Sequence, residues 1–99
     1  MCEVYYIAGN ISGEKDYWPK FYHAETVLQG KGAAVLNPAR LPNGMESERY
    51  LPICLAMIDA ADAVYMLADW RESAGACIEH AYAMYQHKKI VYEKAEVPV

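Results

Sequence analysis

The feature that most constrains this chain is a change of hydrophobic period, repeated along 99 residues. Short apolar runs rich in β-branched and aromatic residues alternate with longer segments whose apolar residues recur at helical spacing. Val4-Tyr5-Tyr6-Ile7-Ala8, closed by Gly9 and Asn10, reads as a strand buried on both faces. From residue 17 to about 31 the period turns helical, with Trp18, Phe21, Glu25 and Leu28 on one face, Ala24 beside them, and Gly30 and Gly32 marking the end. Ala33-Ala34-Val35-Leu36 is a second strand, stopped by Asn37-Pro38, and residues 38–46 form a loop holding Pro42-Asn43-Gly44. A second helix is predicted over residues 47–60, interrupted by Pro52 and starting afresh near Leu51. The run from Asp62 to Leu67 is a third strand. Residues 68–72 make a loop, and Ser73 is an N-cap for a third helix reaching about Gln86. Ile90-Val91-Tyr92 is the last strand, followed by a tail.

This βαβαβαβ order predicts an α/β fold: a parallel sheet of order 2-1-3-4 between helices on both faces. At 11.1 kDa, residues 1–99 make a single domain. The strand order reverses between the first and third strands, and ligands bind at the carboxyl ends of strands flanking such a point. Two loops, residues 9–17 and 68–73, are therefore favoured as a binding site.

Composition narrows the partners. The chain is 55% hydrophobic with a net charge of −4, which excludes a disordered segment and argues against a polymeric nucleic-acid ligand. A free nucleotide needs only a few local donors and stays allowed. No apolar run approaches a membrane span, and Met1-Cys2-Glu3 lacks the basic start of a signal peptide. Cys2, Cys54 and Cys77 are odd in number and widely spaced without a CxxC, so a reducing cytoplasm is expected rather than a disulfide framework. Cys77 and His80 have CxxH spacing but no second ligand pair, so no metal or cofactor is expected.

Several side chains suit chemistry, each with a plainer reading beside it. In the third helix Ala74, Cys77, Ile78, Ala81 and Tyr85 describe an apolar stripe. Glu79 sits beside it, above Gly75 and Ala76, whose small size leaves a hollow before the carboxylate. The helix dipole favours the ionised form there, which suits a nucleophile. A solvated glutamate over a packing glycine explains the same spacing. Ser73 with Gly75 offers a hydroxyl and free N–H groups to an anion, or serves only as a cap. Gly9, Asn10, Ser12 and Gly13 follow a strand but match no phosphate-loop pattern. Trp70 stacks on a base or sugar, or packs in the core. His23 and His87 read as surface histidines, and Cys54 as a small buried hydrophobe.

Tyr6-Ile7-Ala8-Gly9-Asn10-Ile11-Ser12-Gly13, Asn37-Pro38-Ala39 after the second strand, and Asp62 to Leu67 before Trp70-x-x-Ser73-x-Gly75-Ala76-x-x-Glu79 together resemble the nucleoside 2-deoxyribosyltransferase-like superfamily. The resemblance covers nearly the whole chain and is strongest to a branch of small phage and bacterial proteins of unassigned function. It implies a three-layer, flavodoxin-like fold and attack at the anomeric carbon of a deoxyribose. Glu79 matches the family nucleophile, which forms a covalent glycosyl-enzyme, and Tyr6 the tyrosine that orients it. Gly9, Asn10, Ser12, Gly13, Asp62, Trp70, Ser73 and Gly75 fall among the substrate-binding positions. Ser73 stands where the transferases carry an aspartate that grips the sugar and the nucleotide hydrolases a serine near the 5′-phosphate. This tilts the substrate toward a nucleoside monophosphate and the outcome toward hydrolysis. The resemblance also implies a homodimer or larger homo-oligomer. One position departs. Eight residues before Asp62 the family carries an aspartate that protonates the leaving base; here it is Cys54, and neither Asp59 nor Asp62 is in that register. The expected function is a nucleoside or nucleotide deoxyribosyltransferase or N-hydrolase. The alternatives are a non-catalytic or weakly active nucleotide-binding protein using the same cleft, or a purely structural oligomer.

Overall fold

The four apolar runs pair as one parallel sheet: β1 (Val4–Ala8), β2 (Ala34–Leu36), β3 (Ala63–Met66) and β4 (Lys89–Tyr92), in the order β2-β1-β3-β4. The computed structural model describes residues 2–11 and 17–94. In the centre, Tyr5, Tyr6, Ile7 and Ala8 sit opposite Ala63, Val64, Tyr65 and Met66. Three helices cover the sheet: α1 (Tyr17–Gly30), α2 (Ser47–Ala60) and α3 (Ala74–Tyr85).

Strand alternation sorts the helices. Tyr5 and Ile7 point to the face where Phe21, Ala24 and Leu28 of α1 pack, with Ala63 and Leu67 from the neighbouring strand and its end. Tyr6 and Ala8 point the other way, joining Val64 and Met66 against Cys54 and Ile58 of α2 and Ala76 and Ala83 of α3. Phe21, Ile7, Ile58 and Met66 are fully buried, and each such side chain stabilises by about 1.5–3 kcal/mol relative to exposure. The sheet order and helices on both faces agree with the sequence expectation. The cavity described below lies at the carboxyl ends of the strands, between α2, α3 and the loop after β2.

The departures have physical causes. Pro52 lies inside an unbroken α2. It cannot donate to the carbonyl of Glu48, but both residues are exposed and water can meet that carbonyl. Trp18 is 39% exposed rather than in the apolar face of α1; the guanidinium of Arg40 lies 5.4 Å over its ring. The apolar stripe expected on α3 is displaced. Ala76, Glu79 and Ala83 are the buried positions, whereas Ala74, Ile78, Ala81 and Tyr85 are exposed and Cys77 is half-buried. With so many alanines the apolar period of α3 is degenerate, and the helix turns its small residues to the sheet so that it can lie close. The connections after β2 and β3 each hold a 3-10 turn, Pro38–Arg40 and Trp70–Glu72.

Both α1 and α3 end in a left-handed residue. At α1 it is Gly32, with φ of 90°; the N–H of Ala33 donates to Leu28 O and that of Gly32 to Gln29 O. At α3 the same pattern is built on His87, with φ of 58°: Lys88 N–H donates to Ala83 O and His87 N–H to Met84 O.

Candidate functional site

β1 runs up the middle of the sheet and delivers Tyr6, 1% exposed, to the floor of a cavity of about 660 Å³. Its hydroxyl donates to Glu79 Oε1 at 2.9 Å. Glu79 reaches that point because α3 begins at Ala74 and its second turn lies over β1. The start is fixed by Ser73, whose Oγ accepts from the N–H of Ala76 at 3.1 Å. Gly75 lines the same cavity, and a Cβ added there would meet only Ser73 Oγ at 3.8 Å, so its smallness keeps space open before the carboxylate. Gly9 is small for a different reason: a Cβ would come within 2.6 Å of Leu67 Cδ1 and 3.0 Å of its Cβ, so the buried Leu67 side chain would have to shift to admit one.

Burial decides the charge state here. Glu79 is 8% exposed, and desolvation pushes its carboxyl up to about 7 against the opposing hydrogen bond from Tyr6. The dipole of α3 does not hold it ionised as expected, since Glu79 is beyond the first turn, where that field has faded. Burial likewise pushes the Cys54 thiol up to about 11, with the Tyr6 hydroxyl pulling it down and the charge of Glu79 adding to the rise. The Tyr6 hydroxyl itself is held well above its ordinary value by burial, then by Glu79 and Cys54. Tyr6, Cys54 and Glu79 thus share one desolvated corner, with every proton firmly held except that of Glu79.

Beyond Pro38 and Ala39 of the Asn37-Pro38-Ala39 motif, the walls come from residues the motifs did not single out. Pro38, Ala39, Leu41, Pro42 and Asn43 descend from the loop after β2, and Ser47, Glu48, Tyr50 and Leu51 from the start of α2. The loop is pinned at two tyrosines. Tyr17 donates to Asn43 Oδ1 at 3.1 Å; Tyr50 donates to Pro42 O at 2.6 Å and accepts from Met45 N–H at 3.2 Å. Beneath it, Arg40 clamps the buried Glu25 through Nε at 2.8 Å and a second guanidinium nitrogen at 2.5 Å, and Asn37 adds a bond to Glu25 Oε1 at 3.4 Å. The guanidinium holds the Glu25 carboxyl below the usual carboxylate range. A nine-residue connection rich in proline and glycine was the available signal for this wall.

The other sequence candidates divide. Tyr6, Gly9, Ser73, Gly75 and Glu79 line the cavity together. Asn10 lies just outside it, its N–H donating to Asp69 Oδ1 at 3.2 Å; Asp69 also pairs with Lys20 of α1 and ties the two favoured loops to each other. Asp62 stands at the opposite end of β3, accepting from Val4 N–H at 2.9 Å, and does not reach the cavity. Trp70 is turned away from it: its ring stacks on His80 at 4.2 Å with Arg71 4.6 Å from the ring centre, and His80 Nε2 meets Tyr92 Oη at 2.6 Å. Ser12 and Gly13 lie outside the described residues. Among the described residues no three His, Cys, Asp or Glu side chains gather as a metal centre would require. No helix among them is long and apolar enough to cross a membrane.

Residues 3–92 match the family described as Domain of unknown function (DUF4406). The chain belongs to that family. Among solved structures, this DUF4406 member has the fold of a 2-deoxyribosyltransferase from Leishmania mexicana, with a TM-score of 0.71 at 21% sequence identity. The likeness covers 91% of this chain and 63% of that one, so the DUF4406 member spans less than two thirds of the transferase's length. No curated protein matches the chain.

Proposed function

We propose that this DUF4406 member breaks the N-glycosidic bond of a nucleoside or nucleoside monophosphate, with Glu79 as nucleophile at the anomeric carbon. The observation that carries the reading is the buried Tyr6–Glu79 hydrogen bond on the floor of an open cavity. Tyr6 occupies Oε1, orients the carboxyl and leaves Oε2 to attack. The departing base takes the bond's electron pair, and the glycosyl-Glu79 ester passes the sugar to a second base or to water. A carboxyl near 7 exists substantially as carboxylate at neutral pH, and a cavity of this size lies within the usual 300–1,000 Å³ of small-molecule sites. The three free thiols suit a reducing cytoplasm.

The test is base release from deoxynucleosides and their monophosphates, followed by chromatography. Glu79→Ala abolishes release while the far-UV circular dichroism stays that of the parent, and Glu79→Gln still binds ligand. Parental turnover in either variant removes Glu79 from the mechanism.

Cys54 favours a second reading, in which the same cavity binds a nucleotide without turnover. A thiol pushed up to about 11 is a poor proton donor to a leaving base. Ligand-induced stabilisation without base release from any substrate supports it. In either reading a second copy of the chain is the proposed partner, covering the outer face of α3.

A further inference from the structure

We propose that the substrate is an N-glycoside whose base already carries a positive charge on the glycosidic nitrogen, a pyridinium nucleoside being the simplest case. This inference rests on the Glu79 nucleophile proposed above and concerns what it acts on.

A neutral purine or pyrimidine leaves as an anion unless a proton reaches it, and a positioned acid supplies typically 10²–10⁴-fold in rate. Among the described residues, the two titratable groups beside Glu79 are unsuited to that task, and Glu48 on the cavity wall is exposed to solvent. Tyr6 has its one proton committed to Glu79 Oε1 and is itself held in the neutral form by burial. Cys54 faces the same corner as a desolvated thiol whose proton is bound still more tightly than usual. Glu79 cannot present a carboxylate to the sugar and a proton to the base in the same step. A cationic base removes the requirement. As the bond from the anomeric carbon to the ring nitrogen breaks, its electron pair neutralises the nitrogen and the base departs as a neutral molecule. The Glu79 carboxylate forms the new carbon–oxygen bond. Water then cleaves the ester, releasing the sugar, the carboxylate and one proton to solvent. Charge and atoms balance with no acid.

The lining of the cavity fits such a ligand. Its charged side chains among the described residues are Glu48 and Glu79, and Tyr6, Tyr17 and Tyr50 line the same space. Carboxylates attract a cation, and ring faces add to that attraction where water is excluded. A cation bound beside Glu79 also draws its carboxyl toward the ionised form that attack requires.

The experiment compares base release by the wild-type chain from N-ribosyl- and N-(2-deoxyribosyl)-3-carbamoylpyridinium with release from neutral deoxyadenosine and deoxyuridine. The pyridinium substrates are expected to show a kcat/KM at least about 100-fold higher, the low end of what a missing acid costs. Because pyridinium glycosides are intrinsically more labile, Cys54→Asp is measured on both classes. An added acid helps only the neutral bases, so the preference narrows by about ten-fold or more, 1.4 kcal/mol of barrier. Glu79→Gln is the control and loses release from both. Equal wild-type turnover of the two classes, or a preference that Cys54→Asp leaves unchanged, overturns this inference and leaves the Glu79 mechanism standing. Release of base from neither class overturns the proposed function itself. If the aspartate variant does not fold, the wild-type comparison is made on N-methyl-3-carbamoylpyridinium against neutral 3-carbamoylpyridine as inhibitors of base release; the cation is expected to inhibit at least about ten-fold more tightly, and equal inhibition overturns the proposal.

Discussion

Glu79 is expensive to bury. Its carboxyl titrates at about 7 in the folded chain against an ordinary 4.5. Between those values the folded state holds a proton that the unfolded chain has released, so stability falls as pH rises through that window. Above it the full cost is present, roughly 3 kcal/mol as an upper figure for such a difference. Glu79→Gln removes the ionisation and keeps the shape. The variant is expected to melt several degrees higher than the parent at pH 8, with the gap closing by pH 4, as thermal unfolding across pH measures. A gap that does not change with pH means the carboxyl is not held above its ordinary range. A side chain kept at such a cost is characteristic of a functional site. The same ionisation makes base release rise with pH through about 7 if Glu79 is the nucleophile.

Among the elements, α3 shows where periodicity informs and where it fails. Its C-terminal turn puts His87 at φ 58°, a conformation that costs an ordinary residue roughly 1–2 kcal/mol and glycine almost nothing. His87 is exposed and its backbone bonds do not involve its ring. His87→Gly is therefore expected to stabilise the chain by about 0.5–1 kcal/mol after the greater unfolded-state entropy of glycine is counted, a rise of a few degrees in Tm for a domain of this size. No rise, or a fall, shows that the histidine side chain contributes at the helix end. The sequence made this helix and its Ser73 cap legible, because a cap and a long periodic run are local signals. It did not reveal which face is buried. Four alanines among twelve residues leave the apolar pattern with more than one solution, and the choice is made by the sheet beneath, which accepts Ala76 and Ala83 at close range. The site was legible to the same degree. Tyr6 and Glu79 stand at strand and helix positions that the topology brings together, whereas the wall of Pro38, Asn43 and Tyr50 depends on a loop path set by side-chain bonds between residues distant in sequence. Trp70 sits at the right loop, yet its ring stacks on His80 of α3, a contact between two elements that no local signal announces.

At the scale of the whole molecule, the turn of α3 bears on the proposed assembly. With its small residues on the sheet, the helix leaves Ile78 48% exposed, Met84 57% and Tyr85 79%, and Ile53 of the neighbouring α2 is 37% exposed. Single apolar side chains on a surface are ordinary; Ile78 and Tyr85, seven residues apart, share one face of α3 and are the two that a contact there would bury. The asymmetry is steep within one helix: Ala83 is fully buried while Met84 and Tyr85 beside it face outward. The proposed second copy of the chain, set two-fold against the same face, would cover these side chains on both protomers at once, because an isologous contact pairs a surface with itself. On that proposal the wild-type chain sediments as a dimer at a concentration of about 10–50 μM, well above the micromolar dissociation constants of weak specific contacts. Ile78→Asp and Tyr85→Asp each place a charge in the contact and shift the population to monomer. Their effect on the far-UV circular dichroism is small, since neither side chain supports the core. A wild-type chain that sediments as a monomer overturns the proposal, as does a dimer unmoved by both substitutions, which would put the contact on another face.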